Sequence, residues 1–251
     1  MTALRALVTL TGLAVLWQGA VWLGDLPHYL LPSPARVAAT LYARADILAE
    51  NTRYTVIEIL LGLVLGVAFG ALCALSLMAS RLARRWLLPV MLASQAIPTF
   101  AIAPLLVLWF GYGMASKIVM TVIVIFFSVA SAFYDGLRRA DPAWLDLAET
   151  MNARPWRALW FLRVPAALPQ LATGIRVAAV FAPIGAIIGE WVGASRGLGY
   201  LMLQANARMQ VDMLFAALLI LALFAVGLYA VVDWALRRAM PWDADRLPPE
   251  D

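Results

Sequence analysis

Gly193, Ser195 and Gly197 spell G-x-S-x-G, the spacing with which serine hydrolases present a nucleophilic hydroxyl on a tight turn. A serine nucleophile needs a base within hydrogen-bond reach, and the only histidine is His28, near the other end of the chain. The motif also lacks the strand-to-helix context that gives it meaning, so an intramembrane serine hydrolase is a distant reading. ATP hydrolysis is not written here either: there is no G-x-x-x-x-G-K-[ST], and the single lysine is Lys117. No catalytic and no metal-ligating set is expected.

Beside the serine motif stand Glu190 and Trp191, bracketed by Gly185, Gly189, Gly193 and Gly197. An ionisable residue near the end of an apolar run, next to a small-residue face, is a candidate for contact with a passing solute. Gly185, Gly189, Glu190 and Trp191, with Gln95 and Ser128 inside other runs, are therefore the expected substrate pathway. The plainer alternatives are helix packing for the glycines and an interfacial carboxylate for Glu190. A second ladder, Gly62, Gly66 and Gly70, reads as packing.

The elements that must position these residues are membrane helices. The chain is 64% hydrophobic and 14% charged, with a mean hydropathy of +0.84, whereas soluble domains carry roughly a quarter charged residues. Six apolar runs, near 7–23, 55–78, 87–110, 118–133, 171–192 and 214–232, are each long enough to span a bilayer, and all read as helices because lipid-exposed backbone must pair internally. The expectation is an all-α membrane protein with six transmembrane helices in one domain, 1–251. Arg5 precedes the first run, which is long for a signal peptide and lacks a clear cleavage site, so it reads as a retained helix.

With the N-terminus inside, the inner segments hold Arg5, Arg81, Arg84, Arg85, Arg138, Arg139, Arg154, Arg157, Arg163, Arg237, Arg238 and Arg246, about twice as many basic residues as the outer ones. Both termini are expected in the cytoplasm. The net charge of +4 is thus spread over alternate loops, and nucleic acid is not an expected partner. Cys73 is the only cysteine, so no intrachain disulfide can form. An ion-coupled carrier would place several ionisable groups at mid-membrane, and the runs look nearly bare of them.

Between the first two runs, Ser33 and Pro34 open a short amphipathic helix with Val37, Leu41 and Leu48 on one side, expected on the outer surface. Pro98, Pro104 and Pro183 are expected to bend or break their helices. The one polar interruption runs from Tyr134 to Gln170. Asp141 and Pro142 open a short helix with Trp144, Leu145, Leu147, Ala148 and Met151; Asn152, which tolerates the left-handed conformation, ends it. A second short helix from Pro155 carries Trp156, Leu159, Trp160, Arg157 and Arg163, with Pro165 and Pro169 expected to stop it. Two short helices displaying Trp and Arg make a knob suited to a groove on another protein.

In that loop Asp146, Leu147, Ala148, Asn152, Val164 and Pro165 fall on the pattern E-A-A-x-x-x-G-x(9)-I-x-L-P, with Asp for Glu, Leu for Ala and Asn for Gly. The loop resembles that of the inner-membrane permeases of binding-protein-dependent ABC importers. The likeness extends to LPSPARV at 31–37, IAPLLVLWFGYG at 102–113 and GEWVGASRGLGYLM at 189–202, which look most like the members that import pyrimidine precursors of thiamine. Relatives that import taurine, other sulfonates or nitrate are the alternative.

The resemblance implies the type I importer permease fold, with a cytoplasmic coupling-helix loop at 134–170, in the bacterial inner membrane. It implies a homodimer, two ATPase subunits docked on the loops, and an extracytoplasmic solute-binding protein. Asp146, Ala148, Glu149, Asn152, Pro155, Trp156, Arg157, Val164 and Pro165 would meet the ATPase, which would hold the ATP and Mg; this chain would bind no cofactor.

Overall fold

The computed structural model describes residues 2–25 and 27–242, and among these all regular structure is helical. In chain order the helices are α1 (Thr2–Leu23), α2 (Pro34–Ala43), α3 (Ala45–Ala79), α4 (Arg81–Ala96), α5 (Thr99–Phe110), α6 (Met114–Arg138), α7 (Pro142–Thr150), α8 (Pro155–Ala158), α9 (Val164–Gly193), α10 (Leu198–Ala207) and α11 (Val211–Ala239). A π turn, Leu159–Arg163, joins α8 to α9. Helices α3, α6, α11 and the rod Pro155–Gly193 are each long and apolar enough to cross a membrane.

The third apolar run is not one straight helix: α4 and α5 meet at 105°. Proline pushes its preceding residue out of the helical region, and Ile97 takes φ −80° and ψ 124°, which ends α4 before Pro98. Pro104 and Pro183, in contrast, stay inside α5 and α9. Each loses a single backbone donor, which packed neighbours in a membrane bundle accommodate.

Helix α6 lies between α3 and α9, and glycines bring the backbones together. A Cβ built on Gly62 would lie 2.5 Å from Thr121 Cβ, and one on Gly185 would lie 2.7 Å from Thr121 Cα, so a single threonine is gripped from both sides. Gly66 meets Ile125 and Gly70 meets the Phe126 carbonyl in the same way. Lipid is as apolar as a side chain, so such contacts hold the bundle by close packing rather than by removal of surface from water.

Apolar clusters lie along this core, with a smaller one of Ala103, Leu106 and Met120 between α5 and α6. Ala74, Leu77, Phe133, Leu137, Leu159 and Ala167 pack at the end that carries the loop. Ile59, Val129, Ala178 and Ala182 fill the middle. Val37, Leu48, Ile187, Leu198 and Met213 close the opposite end. Ser33 caps α2 as expected, yet Leu48 belongs to α3, because the chain breaks at Arg44. Helix α2 packs on the bundle, with Val37 buried and Arg36 3.7 Å from Asp212 of α11.

Candidate functional site

The loop is built from capping chemistry. The Asp141 carboxylate accepts from Ala143 N at 2.9 Å, and Pro142 occupies the first turn of α7. At the other end Asn152 has φ 58°, Ala153 N donates to Ala148 O at 2.9 Å, and Asn152 N donates to Glu149 O at 2.8 Å. These two bonds form a Schellman turn, which needs the left-handed residue that Asn supplies. The chain then reverses and restarts at Pro155.

The second helix is not short, which corrects the expected stop at Pro165 and Pro169. It continues through the π turn into α9 with Pro165 in the first turn and Pro169 within. A proline ring collides with the carbonyl four residues back; the wider π turn at Leu159–Arg163 moves that carbonyl away from Pro165. Val164 and Pro165 thus belong to the membrane rod and not to the tip.

The tip is held to the bundle and its apolar side chains are left outside. Leu159 is buried among Leu77, Leu137 and Ala167, and Arg163 Nη1 donates to the Leu137 carbonyl at 3.1 Å. Trp156, 66% exposed, packs edge-on against Trp160 at 5.3 Å, and Trp144, Leu147, Met151 and Phe161 also face outward. Asp146, Glu149, Asn152, Pro155 and Arg157 are exposed with them, and Ala148 is half-buried. Ala148, Glu149, Asn152, Pro155 and Trp156 border one cleft of about 680 Å³ beside Met78 and Ala79 at the end of α3.

At the opposite end of the bundle lies a polar cluster. Glu190, 1% exposed, does not reach an interface. Its Oε1 accepts from Thr55 Oγ1 at 2.6 Å, and its Oε2 accepts from Gly199 N and, at 3.3 Å, from Tyr200 N. The carboxylate therefore caps the first turn of α10, where unpaired N–H groups and the helix dipole favour negative charge. Thr55 in turn accepts from Leu198 N at 2.7 Å, and Asn51 Oδ1 from Gly197 N at 2.8 Å. Gly197 has φ 116° and lies directly against the Glu190 carboxylate, so the second glycine of G-x-S-x-G serves a turn folded over an acid, while Gly193 packs against Val107.

Lys117, 2% exposed, donates from Nζ to the carbonyls of Tyr112 at 2.6 Å, Gly113 at 2.8 Å and Gly193, tying the start of α6 to the end of α9. Glu58 of α3, 4% exposed, lies beside Glu190. Glu58 and Thr55 carry no mark in the sequence, and Lys117 stands out only as the lone lysine; the one signal for this cluster is an acid and that lysine at the edges of apolar runs. The spans are thus less bare than expected.

The expected pathway residues are not gathered in one place. Gly185 and Gly189 face α6, where a Cβ on Gly189 would lie 3.0 Å from Lys117 Cα. Ser128 is half-buried in α6, with its carbonyl against Gly174. Gln95 is exposed just before the α4–α5 break. Trp191 points away from the Glu190 cluster, with its ring 5.9 Å from that of Phe100.

Comparison with known proteins gives a consistent picture. The profile of a family described as the binding-protein-dependent transport system inner membrane component matches residues 66–241. A probable ABC transporter permease protein of Haemophilus influenzae is 56% identical over 94% of this chain and 96% of its own length. The formylaminopyrimidine transport permease protein ThiX of Halalkalibacterium halodurans is 34% identical, covering 92% of each chain. The riboflavin transport system permease protein RibX of Chloroflexus aurantiacus is 34% identical over 96% of this chain and 91% of its own. The taurine transport permease TauC of Escherichia coli is 28% identical over 94% and 89%. Among solved structures, the MetNI methionine ABC transporter matches with a TM-score of 0.62 at 18% identity, over 80% of this chain and 97% of that one, which is a likeness of fold.

Proposed function

The chain belongs to the family of binding-protein-dependent transport system inner membrane components and is the permease subunit of such an importer; we propose that its solute is a small nitrogen heterocycle, a pyrimidine precursor of thiamine first among them. The observation that carries the solute class is that two relatives at 34% identity bear the names of heterocycle permeases, for formylaminopyrimidine and riboflavin, whereas the taurine permease stands at 28%. The chemistry inside the bundle supports it. Arg176, the arginine within α9, is bound to Asp233 at 2.7 Å through its Nε.

The family works with ATPase and solute-binding partners, and the exposed tip of the loop is the surface we assign to the ATPase. Its rigid cap at Asn152 and its Trp156 and Arg157 side chains suit insertion into a groove, where such residues commonly act as anchors. Two copies of this chain would form the membrane unit, with both termini and the loop in the cytoplasm. ATP and Mg would sit on the partner, and this chain would hydrolyse nothing.

The test is uptake in proteoliposomes holding the permease, its ATPase and its binding protein. Hydroxymethylpyrimidine is expected to accumulate on addition of ATP; accumulation of taurine in its place would select the sulfonate reading. Trp156→Ala combined with Arg157→Glu is expected to leave the subunit inserted but to separate ATP hydrolysis from uptake, since losing an anchor costs about 2 kcal/mol or more. Undiminished coupled uptake by the double variant would remove the loop tip from the ATPase interface.

A further inference from the structure

A cavity of about 250 Å³ opens at the end of the bundle opposite the loop, walled by Tyr54, Glu58, Tyr112, Lys117, Ser195 and Arg196. We propose that it is a solute-binding site of the permease itself, which takes a small planar molecule by accepting its N–H donors on Glu58.

Glu58 is buried in the wall, and its Oε2 has no hydrogen-bond partner. A buried carboxylate oxygen without a partner is costly, so its position calls for a donor. The neighbours do not supply one. Lys117 Nζ already serves three backbone carbonyls. Arg196 bonds the Tyr54 hydroxyl, stands over the Tyr54 ring at 5.2 Å and reaches Glu50 at 3.3 Å. The adjacent Glu190 carboxyl shares a side-chain hydrogen bond with Glu58 and accepts from Thr55, Gly199 and Tyr200, yet Glu58 Oε2 stays without a partner.

With both cations committed, the open chemistry of the cavity is an acceptor in the wall and an aromatic face at the rim, where Tyr112 is 75% exposed. A sulfonate would meet the Glu58 acceptor there, with Lys117 taken by three backbone carbonyls. An amino-substituted ring presents N–H groups to Glu58 and a flat face to Tyr112. The volume lies below the roughly 300–1,000 Å³ of drug-sized pockets, which suits one ring and excludes a tricyclic flavin. The ligand class rests on the heterocycle reading above; the acceptor site rests on the geometry alone.

The test is equilibrium binding of radiolabelled hydroxymethylpyrimidine, taurine and riboflavin to the permease–ATPase complex in nanodiscs, without ATP or binding protein. Hydroxymethylpyrimidine is expected to bind. Glu58→Ala, which removes the acceptor, should weaken it about tenfold or more, the usual loss when a buried hydrogen bond goes and its donor is left unpaired. Tyr112→Ala, which alters an exposed ring and leaves the backbone carbonyl to Lys117 in place, should weaken it several-fold with an unchanged thermal midpoint. Glu58-dependent binding of taurine or riboflavin and not of the pyrimidine would keep the site and overturn the solute class. Absence of binding by every probe, or equal binding by both variants and the parent, would overturn the site.

Discussion

Thr55 stands at the junction of two helices that the sequence separates by 135 residues: its hydroxyl donates to Glu190 and accepts from Leu198 N. Nothing in the sequence reports that pairing. Glu190 drew notice as an acid beside a glycine ladder, but the groups that employ it come from α3 and from the first turn of α10, and only folding brings them together. Asn152 is the opposite case, since the property that matters, tolerance of a left-handed backbone, belongs to the residue itself and was readable in advance. Thr55→Val keeps the shape and removes the hydroxyl, leaving a backbone N–H and one carboxylate oxygen without their partner. A loss of about 1–3 kcal/mol is expected, read as a lower midpoint in detergent melts of the purified subunit. Ser195→Ala should leave stability unchanged, because the Ser195 hydroxyl has no part in the Glu190 bonds, and uptake should persist, since no covalent step depends on that hydroxyl. Covalent labelling of Ser195 by a fluorophosphonate, with uptake lost in the alanine variant, would restore the hydrolase reading.

Between elements, the helices were legible from apolar runs, while their joints depended on local geometry that composition does not carry. Pro98 breaks a helix and Pro165 does not, although both interrupt an apolar stretch, because a π turn precedes Pro165 and makes room for its ring. The ladder Gly185–Gly189 reads from sequence as a face for a conduit, and in the structure both glycines pack against α6. Position on the helix therefore decides what a glycine contributes. A Cβ on Gly185 would meet the Thr121 backbone at 2.7 Å, whereas one on Gly227 of α11 has nothing within 4 Å. Gly185→Ala should destabilise by about 1–3 kcal/mol, the usual cost of overpacking a closed site. Gly227→Ala should be neutral or stabilise by about 0.5–1 kcal/mol, since it lowers the cost of ordering a helix interior. Equal melting midpoints for the two variants would mean that α6 and α9 are not closely packed.

For the whole molecule, the α4–α5 break leaves non-helical backbone exposed on this chain. Gln95 at the end of α4 is exposed there, as are Ile97 and Pro98, whose backbone lies outside any helix. Non-helical backbone within a bilayer must be covered by protein or line water, since lipid offers it no hydrogen bonds. Helix α9 also presents Val177, Val180, Phe181 and Ile184 outward at the spacing of one helical face, while its other side is fixed against α6. Composition alone made the chain a membrane protein; where its uncovered break and free face lie, only the fold shows. The proposed homodimer would cover both. In a Cys73→Ser background, single cysteines at Phe181 or Ile184 should cross-link to their counterparts in native membranes, and a cysteine at Gln95 should react with small polar thiol reagents at a rate that changes with ATP and binding protein. Cysteine at Val226, exposed on α11, should cross-link with neither. If Val226 pairs efficiently while Phe181 and Ile184 stay monomeric, the two copies meet through α11 and the α9 face belongs to lipid.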